Sequence, residues 1–377
     1  MSWQQSFLET FGTGGLGGMS FSTWWQSLRE NRFSVDPAFW LRAAVTTMSC
    51  ATNSLHRRYE NWRVGSEIER TQIRPPIFIL GLWRSGTTHL HNLFAQDPRF
   101  AFPNTYQVFF PHTFLTAEKY HSKLLSLILP KRRVQDNVKL GAEQPQEDDF
   151  AVCGLTGMSF MMSIAFPRRA AQYSRFITME QTTPEERERW SSALRFFLKK
   201  LTVKYDRPLV LKSPSHTAHV RQLVRMFPDA KFVLIHRDPF EVYASTMHCF
   251  RKVYNMWALQ DLGDYDISAS TIRNYRDVTE KYFAERELIP QGNLIEVAYR
   301  DLDADPIATL RQIYGALGLP SFSTVEPYVS EYLTSLGAYR KNRHTVLEPE
   351  IQHRLAHEWH SYFVNWGYNE QSIDWAA

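Results

Sequence analysis

Apolar residues fall into two rhythms along this chain. Four short runs, IFIL (77–80), PLVLK (208–212), KFVLIH (231–236) and NLIEVAY (293–299), are too brief for helices and predict buried strands. Each is followed closely by a segment with helix signals. SHTAHVRQLVRMF follows the second run. FEVYASTMHCFRK follows the third, with Asp238 as a cap and Pro239 at the first helical position. IATLRQIYGALG follows the fourth and is stopped by Gly318 and Pro320. A further helix starts at Thr183-Pro184 and carries Trp190, Leu194, Phe197 and Leu201 along one face, and from Phe39 to Arg63 Leu41, Ala44 and Met48 recur at helical spacing. Strand followed by helix, repeated, predicts an α/β fold with a central parallel sheet flanked by helices, in which ligands bind beyond the carboxyl ends of the strands. GTGGLGG (12–18) is a flexible break, and residues 1–70 are expected to form an additional N-terminal helical segment ahead of a main domain, 71–377.

Composition adds limits. With 44% apolar and 22% charged residues the chain reads as globular, and a net charge of +4 suits an anionic ligand or an acidic membrane surface without implying nucleic acid. Cys50, Cys153 and Cys249 are odd in number and widely spaced, which points to a reducing compartment rather than a disulfide framework. The first residues lack a basic start followed by an apolar core, and no apolar run reaches the roughly 18 residues a bilayer span requires. The expectation is a cytoplasmic protein able to lie on a membrane surface.

Candidate chemistry concentrates after IFIL. Gly81 and Gly86 are spaced as in the phosphate loop G-x-x-x-x-G-K-[ST], with Thr87 in place of the lysine and Thr88 following. The glycines allow a tight turn and the next helix points free N–H groups at an anion. Arg84, inside the loop, restores the charge in a form that forks onto an oxyanion. In HRDPFEVYAS, Arg237 ends a strand and Ser245 comes eight residues later, a pair able to close on a second phosphate. Lys212 also stands at a strand end.

These two motifs resemble those of the sulfotransferases that use 3′-phosphoadenosine-5′-phosphosulfate (PAPS), in particular bacterial members with an R-S-G-T-T loop. The likeness extends through EQPQEDDFAV, PLVLKSPSHTAHVRQLVRMFPDAKFVLIHRDP, AYRDLDADPIATLRQIYGALGL and YRKNRHTVLEPEI. The resemblance implies a P-loop-like sheet, with 71–377 as the sulfotransferase domain. It implies that Arg84, Ser85, Gly86, Thr87 and Thr88 cradle the 5′-phosphosulfate and that Arg237 and Ser245 hold the 3′-phosphate. Tyr299 would lie near the adenine, and Arg340 and Lys341 would close over the nucleotide. The implied reaction is in-line transfer of SO₃ to a hydroxyl without a metal, with Arg84 and Lys212 neutralising charge.

The general base stays open. Related enzymes often carry a glutamate shortly after the loop helix, but here the region reads AFPNTYQVFFPH, with no carboxylate before Glu118. His216 and the acidic segment Glu147-Asp148-Asp149 are the candidates, with His89 and His112 behind them. HRLAHEWH spaces His353 and His357 as zinc ligands could be, yet reads better as a surface helix. GLTGMSFMMSIAF, LLSLILPKRR and 39–63 could line a pocket for a hydrophobic alcohol or rest on a membrane. A small or lipid-like hydroxyl acceptor is expected, with carbohydrate and protein tyrosine as alternatives. The competing classes are a P-loop-type kinase or NTPase and an inactive nucleotide- or lipid-binding relative.

Overall fold

The computed structural model describes residues 13–128, 141–336 and 347–369. Four parallel strands, β1 (Ile77–Leu80), β2 (Val210–Lys212), β3 (Lys231–His236) and β4 (Leu294–Ala298), form one sheet in the order β2-β1-β3-β4. They lie where the four apolar runs predict strands. β1 is interior, with Ile79 level with Lys212 on one side and with Val233 on the other. The chain leaving β1 therefore emerges between the ends of β2 and β3.

Both faces of the sheet are covered, which is why the runs are continuously apolar rather than alternating. On one face Ile77, Ile79, Val210, Val233, Ile235 and Val297 pack with Leu90, Leu93 and Phe94 of the helix Thr87–Phe94, and with Leu310 and Ile313 of the helix Pro306–Ala316. On the other, Phe78 stacks on Phe232 at 5.6 Å between ring centres and meets Phe227 at 6.0 Å. Adjacent residues of β1 thus serve opposite faces.

The chain divides into two compact units. One comprises Pro75–Ala101, Pro208–His248 and Asp266–Ala377, and contains the sheet. The chain leaves it after Ala101 and returns at Pro208. A parallel bridge closes the excursion, with the Ala101 N–H donating to the Pro208 carbonyl at 2.9 Å and the Val210 N–H to the Ala101 carbonyl at 2.8 Å.

The other unit comprises Met1–Arg74, Phe102–Arg207 and Cys249–Tyr265, and is built from helices among the described residues. The N-terminal helical segment belongs to this larger unit. Its long helix, Trp40–Arg70, turns Arg42, Thr46, Cys50, Asn53, Glu60 and Ile68 inward, while Leu41 and Met48 are exposed. Helical spacing over 39–63 marks this helix, which runs on to Arg70, but the apolar stripe it marks faces out. Inside, Glu60 and Lys200 form a fully buried ion pair at 2.5 Å, and Lys200 lies 4.4 Å from the Phe114 ring centre. Burial draws the Lys200 ammonium down to about 8 against the pull of Glu60. The helix Pro184–Tyr205 starts as its sequence predicts. Thr183 accepts from the Glu186 N–H while the Glu186 side chain returns to the Thr183 N–H, and Pro184 occupies the first turn.

Candidate functional site

The loop after β1 is shaped by contacts within the sheet-bearing unit. Gly81 has φ +140°, and a Cβ there would stand 2.5 Å from the Ile235 carbonyl oxygen. Its N–H donates to the Thr217 hydroxyl at 2.8 Å, and that hydroxyl donates back to the Gly81 carbonyl at 3.2 Å. Ser85 is fully buried, with its N–H and its hydroxyl both donating to the Leu82 carbonyl, at 3.2 and 2.8 Å. Gly86, φ +106°, is the N-cap of the helix Thr87–Phe94 and supplies no capping side chain to the first-turn amides. Such a helix start, with the Thr87 and Thr88 side chains in its first turn, suits an oxyanion. Lys212, buried at the end of β2, reaches the Thr88 hydroxyl at 3.5 Å.

Arg84 adopts φ +72°, a left-handed backbone that a non-glycine residue enters at a cost. This turn joins the two motifs. The Arg84 Nε donates to the Ser245 hydroxyl at 3.1 Å, and its carbonyl accepts from Arg237 Nη1 at 3.4 Å. Arg237 thus meets the loop through its guanidinium, and Ser245 meets it through Arg84. The Arg237 guanidinium lies 4.4 Å above the Tyr299 ring centre and forms an ion pair with Glu241. Tyr299 opens the helix Tyr299–Ala304 and lies against Gly86, where a Cβ would come within 2.3 Å of its ring.

Several supporting residues carry no motif in the sequence. The Tyr362 hydroxyl accepts from the Arg237 N–H at 3.1 Å and donates to the Arg237 carbonyl at 2.7 Å, pinning its backbone. His236 stacks flat on Trp366 with ring centres 4.9 Å apart, and its Nδ1 lies 2.8 Å from the Tyr368 hydroxyl. Burial pulls this imidazole down to about 4. Asp238 caps its helix as predicted, accepting from the Phe240 and Glu241 N–H groups at 2.9 and 3.2 Å. Burial raises its carboxyl above the usual range despite those bonds. Glu241 was legible in principle, because it stands four residues from Arg237 on a predicted helix. The tyrosine and tryptophan come from a chain segment more than a hundred residues away, which no spacing rule reaches.

The candidate bases fall in different places. His216 is fully buried in the 3₁₀ turn Pro214–Ala218, four residues beyond Lys212, with its ring edge-on to Phe78 at 5.4 Å. Glu147, Asp148 and Asp149 belong to the helical unit at the start of the helix Asp149–Thr156, where Asp149 accepts from the Ser159 hydroxyl at 2.8 Å. In that unit the first carboxylate after AFPNTYQVFFPH, Glu118, is held in a polar cluster. Glu118 accepts from Asn104 at 2.8 Å and from Gln107 at 3.1 Å, and pairs with Lys204. His112 is deeply buried there, and burial draws it down to about 3. Arg340 and Lys341 lie outside the described residues, as does part of LLSLILPKRR.

Residues 75–324, which carry the loop after β1, Lys212, Arg237, Ser245 and Tyr299, match the pattern of the sulfotransferase family. The chain belongs to that family. Omega-hydroxy-beta-dihydromenaquinone-9 sulfotransferase Stf3 of Mycobacterium tuberculosis is 33% identical to this sulfotransferase over 356 residues, 94% of this chain and 91% of the relative. The protein of the same name from Mycobacterium bovis matches equally. Among solved structures, sulfotransferase STF9 from Mycobacterium avium superposes with a TM-score of 0.70 at 17% identity, covering 92% of this chain and 96% of that one. Sulfotransferase STF1 from Mycobacterium tuberculosis does so at 0.63 and 21%, covering 89% and 92%. This sulfotransferase thus shares the P-loop-like α/β fold of those enzymes.

Proposed function

We propose that this sulfotransferase moves the sulfonate of PAPS to the hydroxyl of a lipid-like acceptor, without a metal. The observation that carries the donor assignment is the convergence of Arg84, Arg237 and Ser245 at one turn, with Lys212 and the glycine-capped helix start beside them. The glycine N-cap and threonine side chains suit the 5′-phosphosulfate, and Arg237 with Ser245 suits the 3′-phosphate. Tyr299, held under Arg237, is the residue the family resemblance puts near the adenine. In the transfer, the bond between sulfur and the bridging phosphate oxygen breaks as a new sulfur–oxygen bond forms to the acceptor. Arg84 and Lys212 neutralise the charge left on the departing phosphate. The acceptor proton goes to His216, four residues beyond Lys212 in the same unit. The lipid-like acceptor is supported by the relative named for an omega-hydroxylated dihydromenaquinone.

The deciding experiment is calorimetric titration with adenosine 3′,5′-bisphosphate and with ATP and magnesium, in chelated and in metal-containing buffer. Metal-independent binding of the bisphosphate, weakened by Arg237→Ala, is expected. Magnesium-dependent binding of ATP alone would overturn the donor assignment. Labelled PAPS presented with hydroxylated isoprenoid quinones, steroids, sugars and tyrosine peptides then tests the acceptor. A pH–rate comparison of His216→Ala with Glu147→Gln identifies the base by which variant loses the profile's acid limb.

A further inference from the structure

The helix Trp40–Arg70 is apolar on the face it turns away from the protein. Its inward residues, Arg42, Thr46, Cys50, Asn53 and Glu60, define one side. At about 100° per residue, Leu41, Met48, Leu55, Tyr59 and Trp62 lie roughly opposite, and all are exposed, Trp62 at 81%. The stripe runs about 30 Å at 1.5 Å per residue. A helix lying on a water-facing surface is normally polar there, and an apolar tract of this length marks a contact site. The patch is wider than one helix. The Phe21 N–H donates to Ser54 beside Leu55 at 2.7 Å, and from it the exposed rings run on, Phe21 stacked on Trp25 at 6.0 Å and Trp25 edge-on to Phe33 at 5.2 Å. On the other helix, Phe114–Ile128, His121 stacks with His56, and exposed Tyr120 and Leu127 stand among exposed Lys119 and Lys123.

The charges choose the occupant. Between Leu41 and Ser66 the exposed ionic side chains on the outward half of the helix are Arg58 and Arg63, both positive, Arg57 lying on the inward side and Glu60, the one acid in that stretch, being buried against Lys200; Glu67, Glu69 and Arg70 follow in the last turn. Arg58 and Arg63 flank the apolar stripe on either side. Exposed Trp and Tyr between basic rims fit a lipid headgroup boundary. A second copy of the chain fits poorly. Leu41, Met48, Leu55 and Trp62 repeat every seven residues, but the companion row a coiled coil requires would be either Ala44, Ala51, Arg58 and Gly65 or Val45, Thr52, Tyr59 and Ser66, and neither is a continuous row of large apolar side chains. Among the described residues no helix is long and apolar enough to cross a membrane, so contact is with the surface.

We propose that this face of the helical unit docks on an anionic lipid surface, the stripe entering the headgroup region and Arg58 and Arg63 meeting lipid phosphates. The inference goes beyond the donor and acceptor readings and rests on neither. Its test is flotation of the full chain with vesicles of phosphatidylcholine alone and with a third phosphatidylglycerol. Wild-type protein should float with the anionic vesicles, more weakly with the neutral ones. Leu55→Glu with Trp62→Glu should lower vesicle affinity at least tenfold, while circular dichroism and binding of adenosine 3′,5′-bisphosphate stay unchanged. Arg58→Glu with Arg63→Glu should abolish the preference for anionic lipid. Failure to float, or equal flotation by wild type and the Leu55/Trp62 variant, would overturn the proposal. So would a solution dimer that the same substitutions dissociate, since the face would then be an interface between copies.

Discussion

Replacing Gly86 with alanine tests whether the loop and the Tyr299 ring are built as one piece. The new Cβ would lie 2.3 Å from the Tyr299 Cδ2 and 2.9 Å from its Cε2, so the ring must retreat by more than about 1 Å to reach ordinary contact. Overpacking of this kind costs about 1–3 kcal/mol. Alanine at φ +106° adds roughly another 1–3 kcal/mol of backbone strain. Gly86→Ala should therefore destabilise the fold by about 2–6 kcal/mol, the sum of those two ranges. Tyr299→Ala alone should cost about 1–2 kcal/mol, from lost burial and the lost contact with Arg237. In the double variant the overlap disappears and only the strain remains. The two effects should fall short of additivity by about 1–3 kcal/mol, measured by urea unfolding with matched m values. Because Arg237 rests on the same ring, Gly86→Ala should also weaken binding of adenosine 3′,5′-bisphosphate. Additivity within about 0.5 kcal/mol would show that glycine and ring do not meet, and would refute the packing argument.

Other expectations follow from the same geometry. Arg84→Ala should lower kcat by about 10²–10³, the scale for losing one donor to a developing oxyanion, and near-wild-type turnover with labelled PAPS would remove Arg84 from the reaction. Glu241→Gln frees Arg237 from its ion pair, so affinity for the bisphosphate should rise by about 1–2 kcal/mol; weaker binding by calorimetry would mean that the carboxylate orients the guanidinium instead. His236, held at about 4 in the fold against roughly 6.5 in the unfolded chain, binds fewer protons when folded across that interval. Its contribution is therefore complete above about pH 6.5 and is lost as pH falls toward 4. His236→Gln should flatten the fall in melting temperature over that window, and parallel curves for variant and wild type would exclude the imidazole as a cause.

The elements of this protein were legible in the sequence because local chemistry writes them. Short apolar runs placed the strands, Thr183, Glu186 and Pro184 announced a helix start, and Asp238 with Pro239 announced another. The glycine loop, with its arginine and threonines, could be read as an anion site from spacing alone. Helical periodicity found the helix Trp40–Arg70, but hydrophobicity alone could not tell an inward stripe from an outward one; burial of Arg42, Asn53 and Glu60 decided that.

What the tertiary structure decided is who meets whom. Arg84 reaches Ser245 across 161 positions and Arg237 across 153, and sequence spacing carries no record of such distances. The strand order β2-β1-β3-β4 brings them together by setting the loop after β1 between the ends of its neighbours. The same non-local packing seats Tyr299 against Gly86, ties Gly81 to Thr217, pins Arg237 to Tyr362, and returns Glu118 to Asn104 and Gln107. Backbone torsion and side-chain period are properties of neighbours in the chain and are written there. Coincidence in space is a property of the packed core, and belongs to the fold.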